Sequence, residues 1–163
     1  VLHITGHALL NDAGADGIAS LIARARAAGV TVSVAPGSAG FIADYGPEAF
    51  LAAMAGADIL FPSRDEGRLL TGLDEPGEIA AALGFGTVVL TLGAEGVLVF
   101  HEGAATHVAA VVAPVVDPTG AGDAFCAGYL DEWVLTGDPV AAARAGARVA
   151  SRAVGVIGGR PRP

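Results

Sequence analysis

Four short apolar runs, at residues 1–5, 30–34, 57–61 and 87–91, are each followed by a stretch with helical patterning. Strands separated by helices of about 10 to 15 residues cannot close as hairpins, so they imply parallel pairing through crossover helices and a sheet covered on both faces. The local signals fill in the frame. Asp16 is placed to cap a helix closed by Gly29, with Ile18, Leu21, Ile22 and Ala25 at the three-and-four spacing of a buried face. Gly6 and Asn11-Asp12 read as loop, as do residues 35–40 after the second strand. Pro47 opens a short helix ended by Gly56, and Ser63 caps another that stops at Gly72, with Glu66 at the capping-box position. Pro76 starts a further helix toward Leu83.

Later in the chain the pattern changes. Leu92-Gly93-Ala94-Glu95-Gly96 reads as a turn into a strand at residues 97–100, which makes a late antiparallel hairpin, and residues 106–116, with Pro114, are expected to hold a further edge strand or two. A helix of about four turns is expected to end at Thr136, with Phe125, Tyr129 and Trp133 on one line and Cys126, Leu130 and Val134 on the next as core. A last helix runs from Pro139 to near Val154, and Gly155 and Gly158-Gly159 stop it before an Arg/Pro tail.

Composition removes several classes of function. The formal net charge is -8 and all nine basic residues are arginine, which argues against a nucleic-acid or membrane partner. Without lysine there is neither a Walker A loop nor a Schiff base. The longest apolar run, residues 108–116, contains Pro114 and is far short of the roughly 20 residues that cross a bilayer. The single Cys126 excludes an internal disulfide and fits a reducing, cytoplasmic setting. His3, His7, His101 and His107 have no metal-ligand spacing. The chain begins in a core strand with no initiator methionine, so it is expected to be one domain, the later portion of a longer protein.

Asp117-Pro118-Thr119-Gly120-Ala121-Gly122-Asp123-Ala124-Phe125 joins an apolar run to a long helix. The first-turn N–H groups of Gly120 to Asp123 lack intrahelical acceptors and point, with the positive end of the helix dipole, into the turn. That is an anion site. Asp123 puts a carboxylate beside the anion, an unfavourable neighbour unless it takes up a proton, and the combination suggests a base beside a phosphate.

The same nine residues resemble the Asp-Thr-Thr-Gly-Ala-Gly-Asp-x-Phe signature of the PfkB/ribokinase-like carbohydrate kinases and depart from it at Pro118. Thr91-Leu92-Gly93-Ala94-Glu95-Gly96 is similar to that family's nucleotide-binding turn. Ser63-Arg64-Asp65-Glu66 resembles its Asn-x-x-Glu segment, with serine for asparagine. The resemblance covers nearly the whole chain and corresponds to the family's carboxyl-terminal half. It implies a ribokinase-like, Rossmann-like three-layer α/β/α fold and transfer of a phosphoryl group from ATP to a sugar or nucleoside. It makes Asp123 the base and Gly120, Ala121 and Gly122 the anion hole. Thr91, Gly93, Gly96 and Thr119 are implied to bind nucleotide, Glu66 to hold Mg2+ through water, and Asp117, with the Gly158-Gly159 stretch, to hold K+. It also implies a homodimer formed through a lid that lies in the amino-terminal half.

Structural readings stand beside these. Asp123 suits a helix dipole without any catalysis, Glu66 serves a capping box, and Gly93 and Gly96 are ordinary hairpin glycines. Arg144, Arg148 and Arg152 form a solvated stripe, and Cys126 packs in the apolar face of its helix. A nicotinamide-dependent dehydrogenase would need Gly-x-Gly-x-x-Gly after the first strand, which the sequence lacks. A nucleotide-binding module without catalysis is the other alternative.

Overall fold

A computed structural model describes residues 1–158. Gly159 and the Arg/Pro tail lie outside the described residues. The chain forms two compact units, the first made of residues Val1–Thr91 and Phe100–Ala105, the second of Leu92–Val99 and the chain from Thr106 onward. Among the described residues six strands follow one another across a mixed sheet in the order β1 (Leu2–Thr5), β2 (Val32–Ala35), β3 (Ile59–Leu60), β4 (Thr87–Thr91), β5 (Val97–His101) and β6 (Ala104–Val108).

In the first unit β1 to β4 pair in parallel, with Ile4 opposite Val34, Val34 opposite Leu60 and Leu60 opposite Val88. The crossovers carry α1 (Gly14–Ala27), α2 (Ala39–Tyr45) with α3 (Pro47–Ala53), and α4 (Arg64–Thr71) with α5 (Pro76–Ala82). Right-handed crossovers that advance in one direction deliver their helices to one face. Accordingly, α1 packs beside α3, α3 beside α4 and α4 beside α5. Val32, Ser33 and Val34 in β2 and the first four residues of β4 are all buried. Two polar side chains inside this core find partners. The Ser33 hydroxyl meets His3 Nδ1 at 2.9 Å, and the Thr87 hydroxyl meets His101 Nδ1 at 2.8 Å. These two histidines therefore satisfy buried hydroxyls.

Several expectations are corrected. Asp16 does not cap α1: it lies in the first turn, and the Asn11 side chain accepts from the N–H groups of Ala13 and Gly14. Leu21 is exposed while Ile18 and Ile22 are buried. Residues 6–10 are a 3₁₀ turn, not open loop, and residues 35–40 already contain the start of α2, capped by Ser38 Oγ accepting from Phe41 N–H. Besides the expected turn at residues 92–96 there is a second, tighter hairpin connection, Glu102-Gly103, both at positive φ, the signature of a type I′ turn between β5 and β6. The last strand ends at Val108, and residues 109–116 form no strand.

In the second unit α6 (Ala121–Thr136) and α7 (Pro139–Ala153) pack along most of their length. Asp138 caps α7 through the N–H groups of Val140 and Ala141. Small residues set the approach. A Cβ on Gly128 would sit 2.6 Å from Val149, and one on Gly146 would sit 2.8 Å from the Phe125 carbonyl. Phe125, Cys126 and Tyr129 are buried, whereas Trp133 is half-buried and Val134 is exposed, so the inward line runs out before the end of the helix. Arg144, Arg148 and Arg152 are exposed, as the spacing suggested.

Gly146→Ala should therefore overpack the helix pair and lower stability by about 1–3 kcal/mol, read from the urea midpoint. Gly77→Ala, in α5 with nothing within 4 Å of its added methyl, should be neutral or stabilising by up to about 1 kcal/mol. Equal costs at the two positions would contradict the packing described.

Candidate active site

The loop before α6 is built from a few local rules. Asp117 Oδ1 accepts from Thr119 N–H at 2.9 Å, closing an Asx turn. Ala121 N–H then reaches the Pro118 carbonyl at 3.1 Å, with Gly120 at φ 76° and ψ 4° in the third place. Thr119 has negative φ, so this is a type II turn, and its third residue needs the left-handed backbone that glycine adopts without strain. The helix starts at once.

This geometry sorts the amides. Ala121 N–H is held by Pro118, while no acceptor among the described residues engages the N–H groups of Gly120, Gly122 and Asp123. Gly122 and Asp123 are exposed, and a Cβ on Gly122 would meet nothing within 4 Å. Donors, the helix dipole and the Asp123 carboxylate thus share one exposed turn.

The loop is tied to the end of α7. The Val154 carbonyl accepts from Val116 N–H at 2.8 Å and from Asp117 N–H at 3.1 Å, and Asp117 Oδ2 accepts from Gly158 N–H at 2.9 Å. The Gly158 amide, followed by the Thr119 side chain and amide, favours the ionised carboxylate and holds the Asp117 pKa below its ordinary 3.8. Asp117 is thus an organiser of backbone, whatever else it binds.

Within the second unit, Gly93–Glu95 forms a 3₁₀ turn. Leu92 N–H donates to the Gly96 carbonyl at 2.8 Å, Glu95 N–H to Leu92 at 3.2 Å and Gly96 N–H to Gly93 at 3.1 Å. Gly93 has φ 61° and Gly96 φ 102°. Gly96 is also required by space, because a Cβ there would lie 2.2 Å from the Val108 carbonyl. His107, which has no metal-ligand spacing in the sequence, places Nε2 2.7 Å from the Glu95 carbonyl. A bond between positions 12 residues apart carries no sequence signature.

The first unit contains Ser63, Glu66 and Thr91. Ser63 N–H donates to Glu66 Oε2 at 2.7 Å, and Glu66 N–H donates to Ser63 Oγ at 3.3 Å, completing the capping box. Glu66 is buried. Ser63 forms a parallel bridge to Thr91, whose N–H donates to the Pro62 carbonyl at 2.9 Å, so the start of α4 and the end of β4 are brought together. The capping role of Glu66 is therefore present in the structure. Among the described residues no group of three or more His, Cys, Asp or Glu is arranged to hold a metal ion. No described helix is long and apolar enough to cross a membrane.

The family model for "pfkB family carbohydrate kinase" matches residues 1–163. The chain belongs to the pfkB family of carbohydrate kinases. Among pfkB relatives, 1-phosphofructokinase from Rhodobacter capsulatus is 33% identical over 153 residues, covering 89% of this chain and 46% of that protein. The crystal structure of a PfkB protein from Polaromonas sp. JS666 superposes with TM-score 0.81 at 30% identity, covering 98% of this chain and 54% of the other. Fructokinase from Vibrio cholerae O395, in a form with fructose, ADP and calcium bound, gives TM-score 0.87 at 26% identity over 97% of this chain and 55% of the other. The fold is thus the α/β ribokinase-like fold of pfkB kinases. The chain spans about half the length of these pfkB relatives.

Followed by carbon-detected NMR through an acid titration, the Asp117 carboxyl is expected to titrate below 3.8. Its folded value is depressed, so its contribution to stability is present above the unfolded value and is lost as the pH falls through the folded one. Asp117→Asn should remove that part of the acid dependence. A titration at or above 3.8 contradicts the bonding described.

Proposed function

We propose that the protein is an ATP-dependent phosphotransferase that phosphorylates a hydroxyl of a sugar or nucleoside. The observation that carries this reading is the turn at residues 120–123, exposed at Gly122 and Asp123, where N–H groups without acceptors among the described residues adjoin the Asp123 carboxylate. Family membership and relatives such as the fructokinase with fructose and ADP support the same chemistry.

In the proposed reaction an Asp123 oxygen accepts the proton of the acceptor hydroxyl as that oxygen attacks the γ-phosphorus of ATP. The bond from the γ-phosphorus to the β,γ-bridging oxygen breaks and ADP leaves. The N–H groups of Gly120 and Gly122 donate to the transferred phosphoryl oxygens, and Ala121 joins them if its bond to Pro118 opens. Phosphoryl transfer draws on positioning and charge stabilisation more than on covalent catalysis, so a preformed amide nest can serve without lysine. Thr91, Gly93, Gly96 and Thr119 are assigned to the nucleotide.

Mg2+, when bound, neutralises the nucleotide phosphates. The donor set fits this: with no all-protein cluster among the described residues, the ion would be held chiefly by phosphates and water, and Glu66 is the carboxylate assigned to that water. Ser63 N–H already occupies one Glu66 oxygen, which orients the carboxylate. A K+ ion at the Asp117 loop would share the Asp117 oxygens with the Thr119 and Gly158 amides. The acceptor-binding groups, and a homodimer formed through a lid, are assigned to an amino-terminal half.

One observation favours a second reading for the polypeptide by itself. A chain spanning about half of its relatives is, in isolation, a nucleotide-binding module without turnover.

The test is an ATP-dependent phosphorylation screen over pentoses, hexoses and nucleosides with the full-length protein. Asp123→Asn should lower kcat by at least about 100-fold and leave ATP affinity within about twofold, the pattern of a lost general base. Near-normal turnover in that variant would sink the mechanism.

A further inference from the structure

We infer that His107 is a positioning residue for nucleotide binding, acting by latching the peptide between Glu95 and Gly96; the inference rests on the kinase reading above. The Glu95 carbonyl can only accept, so the 2.7 Å contact requires His107 Nε2 to carry a proton and donate. On the other side of the same peptide, Gly96 N–H donates to the Gly93 carbonyl at 3.1 Å. One peptide plane is therefore held from both edges.

That plane needs holding. Gly96 sits at φ 102° and ψ -132°, a region open only to glycine, and Gly93 is left-handed at φ 61°. A peptide that leads into a glycine can turn over at lower steric cost than one between two side-chain-bearing residues, and turning this one would reverse its carbonyl and N–H. It would also break the bond to Gly93. The close approach of Gly96 to the Val108 carbonyl fixes where the turn lies but not which way its peptide faces. His107 is on β6, one residue before Val108, so the strand that sets the turn's place also supplies the side chain that sets its direction.

Nucleotide binding to a turn that is competent for only part of the time is weakened in proportion to that fraction. Losing one such hydrogen bond corresponds to about a 3- to 10-fold loss. The experiment is calorimetric titration of the full-length protein with ATP, together with steady-state kinetics and amide hydrogen exchange at Gly96. His107→Leu should weaken ATP binding and raise KM for ATP by about 3- to 10-fold, leave kcat at saturating ATP within about twofold, and speed exchange at Gly96. His107→Gln, whose amide nitrogen reaches the place of Nε2, should restore all three readouts. His107→Asn, whose nitrogen falls at the place of Nδ1, should not. Unchanged ATP affinity in His107→Leu, or no rescue by glutamine, overturns the inference alone. Failure of the wild-type protein to bind ATP overturns the kinase reading and the inference with it.

Discussion

The Asp117 carboxylate holds together the part of the molecule on which the functional account depends. Its two oxygens accept from Thr119 and Gly158, and the Val154 carbonyl takes the N–H groups on either side of the Val116–Asp117 bond. These bonds fix the chain entering α6 to the chain leaving α7. Because the loop is pinned at that point, the type II turn at Gly120 can start α6 abruptly, with its first amides facing outward. Pro118 supplies the carbonyl that closes the turn. A residue that departs from the family signature is thus absorbed into the turn through its backbone.

Closed and open amides divide the site. Ala121 satisfies itself within the turn, while Gly120, Gly122 and Asp123 have no acceptor among the described residues. Unpaired donors are costly when buried and useful when exposed, because an anion can then complete them. Glu66 has the opposite character: buried and bonded to its own helix start, its carboxylate is held in one orientation.

What the sequence reveals follows from the range of the interactions. Elements announced by short-range chemistry are legible: Pro47, Pro76 and Pro139 open helices, Ser63 and Glu66 form a capping box, and Gly72 closes α4 in a left-handed conformation. The seven residues of α2 are too few to establish a helical period, and its cap Ser38 follows a Pro-Gly pair that reads as a turn. In β6 four of five residues are exposed, so the strand has no apolar alternation; a hairpin turn with Glu102 at positive φ forms it. Periodicity placed Val134 in the core because it gives the spacing of a face but not how far along the helix that face stays covered. The signature loop and the Gly93–Gly96 turn are legible because backbone conformation demands glycine there. The His107–Glu95 bond joins distant positions and has no sequence signal, and Asp117 and Gly158 are brought together in the sequence only by the family resemblance.

The central claim is that the outward amides at the start of α6 receive the phosphoryl group. Backbone amide NMR during titration with a non-hydrolysable ATP analogue tests it most directly. The largest shifts, with protection from exchange, are expected at Gly120, Gly122 and Asp123. Binding that leaves these three amides unchanged while perturbing others would contradict the account.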